Sequence, residues 1–185
     1  MMLTAALALS LVVNVSAPAE VPEMIVTNAL AEANAIWRPG GVAFVWQRDA
    51  SIPARLQVVI GLDSAASHES TLALGWVIFA DDQTPEPKIH LSYTNTERLF
   101  EESRGSRAVT RLEHHVSIGR AMGRALAHEL GHYLLASKTH TAGGLMQGRR
   151  RADDFFAPEA VHFEINMTQR SQIVARLHKE QLVAS

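Results

Sequence analysis

Residues 110–137, TRLEHHVSIGRAMGRALAHELGHYLLAS, decide how the rest of this sequence is interpreted. Apolar side chains recur along the segment at helical steps: Leu112, Val116, Met122, Leu126, Leu130 and Leu134. Such spacing places them on one side of a helix, where they can pack against a core. The pattern therefore predicts one long amphipathic helix near the middle of the chain.

Three residues near the end of this helix indicate a reaction. His128 and His132 are four residues apart, so on a helix both imidazoles project from the same face. Two neutral imidazoles at that spacing can bind one zinc ion. Glu129 can take a proton from a water molecule as that water attacks a carbonyl group. The motif predicts a hydrolase in which zinc and Glu129 activate a water molecule. The alternative interpretation is that two histidines and a glutamate lie on the surface of the helix without a catalytic role.

A catalytic zinc ion needs a third protein ligand and one open position. The sequence has no cysteine, so that ligand must be His, Asp or Glu. His140 is the nearest suitable residue beyond the helix, and we expect it to be the third ligand. Glu159 and Glu164 remain alternatives, and His162 is a further candidate ligand or transition-state donor.

At this point the sequence resembles the metzincin clan of zinc peptidases. His128, Glu129 and His132 match the clan's His-Glu-x-x-His motif directly, and His140 matches its third histidine in role. Met146 resembles the methionine of the Met-turn that lies beneath the metal. The resemblance implies one zinc ion, cleavage of peptide bonds within a peptide or protein substrate, and a substrate that lies extended along a sheet edge.

Two positions depart from the metzincin pattern. Leu135 stands where the clan has a glycine, and His140 comes two residues later than the usual third histidine. An active-site helix that is longer and turns over residues 137–139 would reconcile both differences. Gly148 occupies the position at which some metzincins have a tyrosine.

The remaining segments predict an α+β fold. Residues 22–37 have helical periodicity, whereas four short segments rich in apolar residues are typical of strands: 42–46, 56–62, 74–80 and 88–93. A last helix is expected from Met167–Thr168 onward. We therefore expect a small mixed sheet packed against the first helix and the long active-site helix, with a C-terminal helix after the Met-turn.

One predicted strand is a candidate substrate-binding element. In residues 88–93, Ile89 and Leu91 alternate with His90, which indicates a strand with one wet face. If this strand lies at the edge above the zinc, a peptide can add to it as a further strand through Ile89, His90 and Leu91. An interior strand would show the same short pattern.

The first residues resemble an export signal. Residues 1–15 carry no charge and are rich in Leu, Val and Ala, and Ala17 and Ala19 offer a small-x-small cleavage site. We expect residues 1–19 to be a signal peptide and residues 20–185 to be a single catalytic domain in the periplasm or outside the cell. A second long apolar stretch is missing from the sequence, so we expect no stable membrane insertion of the mature chain.

Bulk composition restricts the partners. The chain has 185 residues, a net charge of −2 and 47% hydrophobic residues, a balance typical of a single globular domain. That charge gives no electrostatic reason to expect nucleic acid. The one basic run, Arg149–Arg151, is typical of a solvated turn. A module that holds zinc but cuts nothing remains the alternative to an enzyme, and peptide turnover would separate the two.

Overall fold

A computed structural model describes residues 9–62 and 72–183. In these ranges the elements follow in the order β1 (Leu9–Ser16), α1 (Glu23–Trp37), β2 (Val42–Gln47), β3 (Leu56–Gly61), β4 (Gly75–Phe79), β5 (Pro85–Ser92), α2 (Tyr93–Arg104), α3 (Arg111–Leu135), α4 (Ala152–Phe156) and α5 (Met167–Val183). The predicted α+β class is confirmed.

The five strands form one mixed sheet in the order β2-β1-β3-β5-β4. Four of the strands are parallel, and β4 runs antiparallel to β5 at one edge. Parallel neighbours require crossover connections, and α1 supplies the crossover between β1 and β2. α1 is therefore the first helix of the layer that covers the sheet.

The apolar N-terminal stretch includes a central strand. β1 pairs with β2 on one side and with β3 on the other. Its alternate side chains Leu11, Val13 and Val15 are each at most 3% exposed. Residues 1–8 of the predicted signal peptide lie outside the described residues. Cleavage after Ala19 stays a prediction, and it would remove this interior strand.

The prediction that residues 89–93 form an edge strand is wrong. β5 is hydrogen-bonded to β3 on one side and to β4 on the other, so both of its edges are occupied. Ile89 and Leu91 are buried beneath the helices, at 0% and 1% exposure. The chain already turns into α2 at Tyr93 because the Ser92 hydroxyl caps the helix by accepting a hydrogen bond from the Asn95 amide.

α1 and α3 pack in close contact because α3 carries two glycines at their crossing. A Cβ atom on Gly119 would lie 2.5 Å from Cβ of Asn28, and one on Gly123 would lie 2.6 Å from the carbonyl oxygen of Ala29. Any larger residue at either position would push the helices apart. The pair covers one face of the sheet, and α3 also contacts β5 and β4.

α3 confirms the long helix that the periodicity predicts. It begins with a capping box in which Thr110 and Glu113 satisfy each other's backbone amides. It ends at Leu135, and Ala136 follows in the left-handed conformation with φ 49°. The His-Glu-x-x-His motif therefore lies in the last two turns of α3, on the part of the helix that lies beside β4 and β5.

In the described part of the chain, none of the helices is both long and apolar enough to cross a membrane.

Candidate metal centre

Three imidazoles converge at the C-terminal end of α3. The Nε2 atoms of His128 and His132 are 3.0 Å apart, and that of His140 lies 3.3 Å and 3.2 Å from them, respectively. His132 is buried, His128 is half-buried and His140 is exposed, so the group opens to solvent on one side. The structure thus brings together the three residues that the sequence analysis selected as ligands.

Backbone carbonyl groups orient the two histidines on the helix. Nδ1 of His128 donates a hydrogen bond to the Leu145 carbonyl oxygen at 2.8 Å, and Nδ1 of His132 donates to that of Ser137 at 2.7 Å. A carbonyl oxygen can only accept, so Nδ1 carries the proton in both rings. Their Nε2 lone pairs therefore face the gap between the rings, as in metal-ligating histidines.

This arrangement fits a zinc ion. Tetrahedral zinc with Zn–N distances of about 2.0–2.1 Å requires ligand nitrogens about 3.3 Å apart, close to the three spacings observed. Burial lowers the pKa of His128 to about 4 and also lowers the pKa of His132, which keeps both rings neutral at pH 7. Lone pairs at such short range repel each other, and a cation between them would remove the repulsion.

The alternative ligands lie elsewhere. Glu159, Glu164 and His162 are exposed, and none of them belongs to the cluster or lines the adjoining cavity. His162 has a positive φ of 68°, and its carbonyl oxygen accepts a hydrogen bond from Arg150. The geometry consequently favours His140 over the two glutamates as the third ligand.

A sharp reversal after α3 accommodates the late third histidine. The expected longer helix does not form: α3 ends at Leu135, and the chain reverses at Ala136 rather than over residues 137–139. The Ala136 amide donates to Tyr133 O and the Ser137 amide to His132 O, which closes the helix end. The residues from Ser137 onward then carry the chain back to His140.

Met146 lies directly beneath the helix that carries the motif. It is 1% exposed, and a Cβ atom on Gly131 would come within 2.2 Å of its Sδ atom. The neighbouring Leu145 supplies the carbonyl oxygen that orients His128. The loop closes through the Thr141 amide, which donates to Met146 O at 2.9 Å. Met146 thus packs against the helix that carries the motif, and its assignment as the Met-turn residue beneath a metal stays a prediction.

Two glycines near the metal site have steric roles that the sequence analysis missed. Gly131 leaves room for Met146, as described above. Gly148 lies against the third histidine, and a Cβ atom there would be 2.7 Å from Cγ of His140. The absence of a side chain at both positions allows the loop to approach the imidazoles from two sides. Only the folded chain shows which atoms make these glycines necessary.

Glu129 is buried in the wall of the cavity beside the three histidines. Its exposure is 8%, and burial raises its pKa to about 8. A Cβ atom on Gly75 would lie 3.0 Å from Cγ of Glu129, so this glycine lets β4 pass close to the carboxyl group. Among the described residues, burial is the one cause of this shift, and no hydrogen bond or cation that would favour the charged carboxylate acts against it.

An open cavity of about 950 Å³ adjoins the imidazoles. Gly75, Trp76, Val77 and Phe79 of β4 line one wall, and Phe155 and Phe163 line another. The predicted substrate-binding residues do not line it: Ile89 and Leu91 point into the core, and His90 stacks on Trp76 with ring centroids 5.1 Å apart. The strand beside the cavity is β4.

A buried arginine holds the wall formed by α4. The side chain of Arg124, 0% exposed, donates to Glu32 Oε1 at 2.8 Å and to the Asp154 carbonyl oxygen at 2.6 Å. Its guanidinium also lies 5.1 Å from the centre of the Phe163 ring. A charge removed from water in this way requires such partners, so Arg124 ties α4 to α1 and α3.

Comparison with known proteins agrees with this fold. No protein-family model and no curated protein sequence matches the chain. Its structure is similar to that of archaemetzincin from Methanopyrus kandleri, with a TM-score of 0.55 over 96% of this chain and 99% of the other. At 8% sequence identity this likeness shows a metallopeptidase-like fold.

Proposed function

We propose that this protein is a zinc-dependent peptidase. The observation that carries the proposal is the convergence of three Nε2 atoms within 3.3 Å of one another, with the buried carboxyl of Glu129 beside them. Three protein ligands leave one position of a tetrahedral ion open, which is the arrangement of catalytic rather than structural zinc. The likeness to archaemetzincin supports the same class of enzyme.

Each residue has a role in this proposal. His128, His132 and His140 hold the ion, and the Leu145 and Ser137 carbonyl oxygens fix the orientation of the first two rings. When bound, zinc supplies the Lewis acidity that activates water and polarises the scissile carbonyl. A cation held by the imidazoles would lower the pKa of Glu129, which burial alone raises to about 8. With the ion bound, the Glu129 carboxylate can accept the proton of the attacking water and pass it to the leaving amine.

β4 is the strand that supports a substrate chain. Within the described residues it pairs on one side only, with β5, and its other edge borders the cavity. An extended peptide can add to that edge through backbone hydrogen bonds. Gly75 brings this edge close to Glu129, so a peptide bond held there would lie near both the base and the ion. Because the cavity is open, we propose cleavage within longer chains.

Replacing Glu129 with glutamine tests the proposal. Glu129→Gln leaves all three imidazoles in place but removes the proton acceptor, so the variant should bind one zinc ion per chain and lose at least about 100-fold in kcat. Glu159→Gln is the matched control, since Glu159 is exposed and lies outside the cavity wall. Metal analysis gives the zinc content, and a fluorescence-quenched peptide library gives the turnover.

Wild-type turnover should also be blocked by a hydroxamate, which chelates a metal with an open position. The proposal is contradicted if Glu129→Gln cleaves as fast as the wild-type protein, or if zinc-loaded wild-type protein cleaves none of the library.

A further inference from the structure

The cavity beside the histidines has an unbalanced charge. Lys138, Arg149 and Arg150 line it, whereas Glu129 is the one acidic residue in its wall among the described residues. The whole chain has a net charge of −2, so this concentration of positive charge is local. Apolar walls that include Phe79 and Phe155 strengthen the field of such groups.

The cationic residues line the same cavity as the third imidazole and are close to it along the chain or through Gly148. Lys138 precedes His140 by two residues. Gly148 packs against the His140 ring, and Arg149 and Arg150 follow it directly. A group held by these side chains would therefore be next to the position of the reacting bond.

Arg150 is fixed in the structure. Its guanidinium lies 3.9 Å from the centre of the Phe163 ring and donates to the carbonyl oxygens of Gly144 and His162. Asp154 and Glu164 lie near enough to raise its pKa, although burial has the larger, opposite effect. The interpretation of this basic run as a solvated turn is wrong for Arg150, and these contacts make it a rigid cation in the cavity wall.

Arg149 carries the charge that is left unbalanced. It is exposed at the cavity rim, and among the described residues no carboxylate lies within 4.0 Å of its guanidinium. Lys138, in contrast, pairs with the exposed carboxylate of Asp82 at 3.0 Å. Arg149 is therefore free to bind an anionic group that enters the cavity.

We propose that the preferred substrates carry a carboxylate close to the scissile bond and that Arg149 binds this carboxylate. Arg150 and Lys138 contribute to the positive electrostatic potential of the cavity, and the inference rests on the proposed peptidase function. An Asp or Glu side chain and the free C-terminus of a short peptide both supply this chemistry. The first source predicts cleavage within acidic sequences, and the second predicts cleavage near chain ends.

Matched peptides separate these sources. The zinc-loaded protein is given a decapeptide library, and the products are sequenced by mass spectrometry to locate acidic residues around the cuts. Pairs of labelled decapeptides that differ only in Glu against Gln, or in a free against an amidated C-terminus, are then compared for kcat/KM and for affinity by fluorescence anisotropy.

We expect about a fivefold preference for the carboxylate member of one pair, of the size of a partly exposed ion pair. In Arg149→Gln this ratio should fall to about one, whereas Arg151→Gln should keep it. The Arg151→Gln change removes the same charge two residues further along the chain, but the Arg151 side chain is 83% exposed and lies outside the cavity wall. Raising the salt concentration should weaken the preference in the wild-type protein.

The outcomes distinguish this inference from the peptidase function. Cleavage with equal ratios for both pairs overturns the carboxylate site and leaves the peptidase standing. No cleavage, but a binding preference that depends on Arg149, overturns the peptidase and supports the site. An equal loss of the preference in Arg149→Gln and Arg151→Gln overturns the site, because it would mean that only the net charge matters.

Discussion

At the scale of single residues, the contact between Gly131 and Met146 links the motif to the loop beneath it. Gly131 lies between Glu129 and His132 in the motif, and the Met146 thioether occupies the space that a side chain on Gly131 would fill. Because Leu145 holds the His128 ring, a shift of Met146 would also move the carbonyl oxygen that orients this ligand.

Gly131→Ala should therefore destabilise the protein although alanine is the better helix former. A Cβ atom 2.2 Å from the Sδ atom of a buried methionine overpacks the site, which costs about 1–3 kcal/mol in the free energy of unfolding. Zinc affinity should fall as well. Urea unfolding of the metal-free protein and zinc titration measure the two effects.

Gly143→Ala is the matched control for this prediction. A Cβ atom on Gly143 meets nothing within 4 Å, so the change should stay within about 0.5 kcal/mol. Equal stability and zinc affinity in both alanine variants would show that the packing of Met146 against α3 does not support the metal site.

At the scale of elements, the sequence predicts local structure better than it predicts pairing. The start of α3 is encoded by Thr110 and Glu113, and the motif within it is visible in the spacing of its histidines. The order of the strands depends on contacts between distant segments, so the position of β5 between β3 and β4 is not visible in its alternation. α2 was missed because its sequence, YTNTERLFEESR, is mostly polar.

The N-terminal segment shows a second limit of sequence patterns. An uncharged apolar run of this length is compatible both with the core of a signal peptide and with a buried parallel strand. The two interpretations differ in their consequence for folding, since β1 lies between β2 and β3. Export and cleavage after Ala19 stay predictions that a measurement of the mature N-terminus can decide.

We expect the fragment 20–185 to be unable to fold. It lacks the buried side chains Leu11, Val13 and Val15, each of which contributes about 1.5–3 kcal/mol on burial. Their sum is comparable with the whole stability of an ordinary domain, about 5–15 kcal/mol. Circular dichroism and thermal unfolding of the purified fragment test this expectation.

The control for the truncation is the fragment 9–185, which retains all five strands and should unfold cooperatively. If the fragment 20–185 unfolds cooperatively and binds zinc, β1 is dispensable and the predicted cleavage is compatible with a folded enzyme.

At the scale of the whole molecule, the site is formed where three parts of the fold meet. α3 supplies two imidazoles and the proposed base Glu129, and the loop after it supplies His140 and Met146. β4 supplies an edge that is unpaired among the described residues. The histidines were accessible from sequence because a helix fixes their spacing. The cavity wall could not be predicted from the sequence, because Trp76, Phe155 and Phe163 come together only after the sheet and α4 are in place.

The fold is similar to that of archaemetzincin although only 8% of the aligned residues are identical. A fold can persist when few residues are shared, because burial pattern and chain connections determine it more than individual side chains do. Function must be argued from the site itself. For this protein, the proposed function rests on the three histidine imidazoles and Glu129. The proposed substrate preference rests on the cationic residues of the cavity wall, Lys138, Arg149 and Arg150.

The most direct test of the central claim is a crystal structure of the zinc-loaded protein with diffraction data collected at the zinc absorption edge. We expect one anomalous peak, with Nε2 of His128, His132 and His140 each about 2.0–2.1 Å away. A carboxylate oxygen of Glu159 or Glu164 in the place of His140, or a zinc peak away from these imidazoles, would contradict the claim.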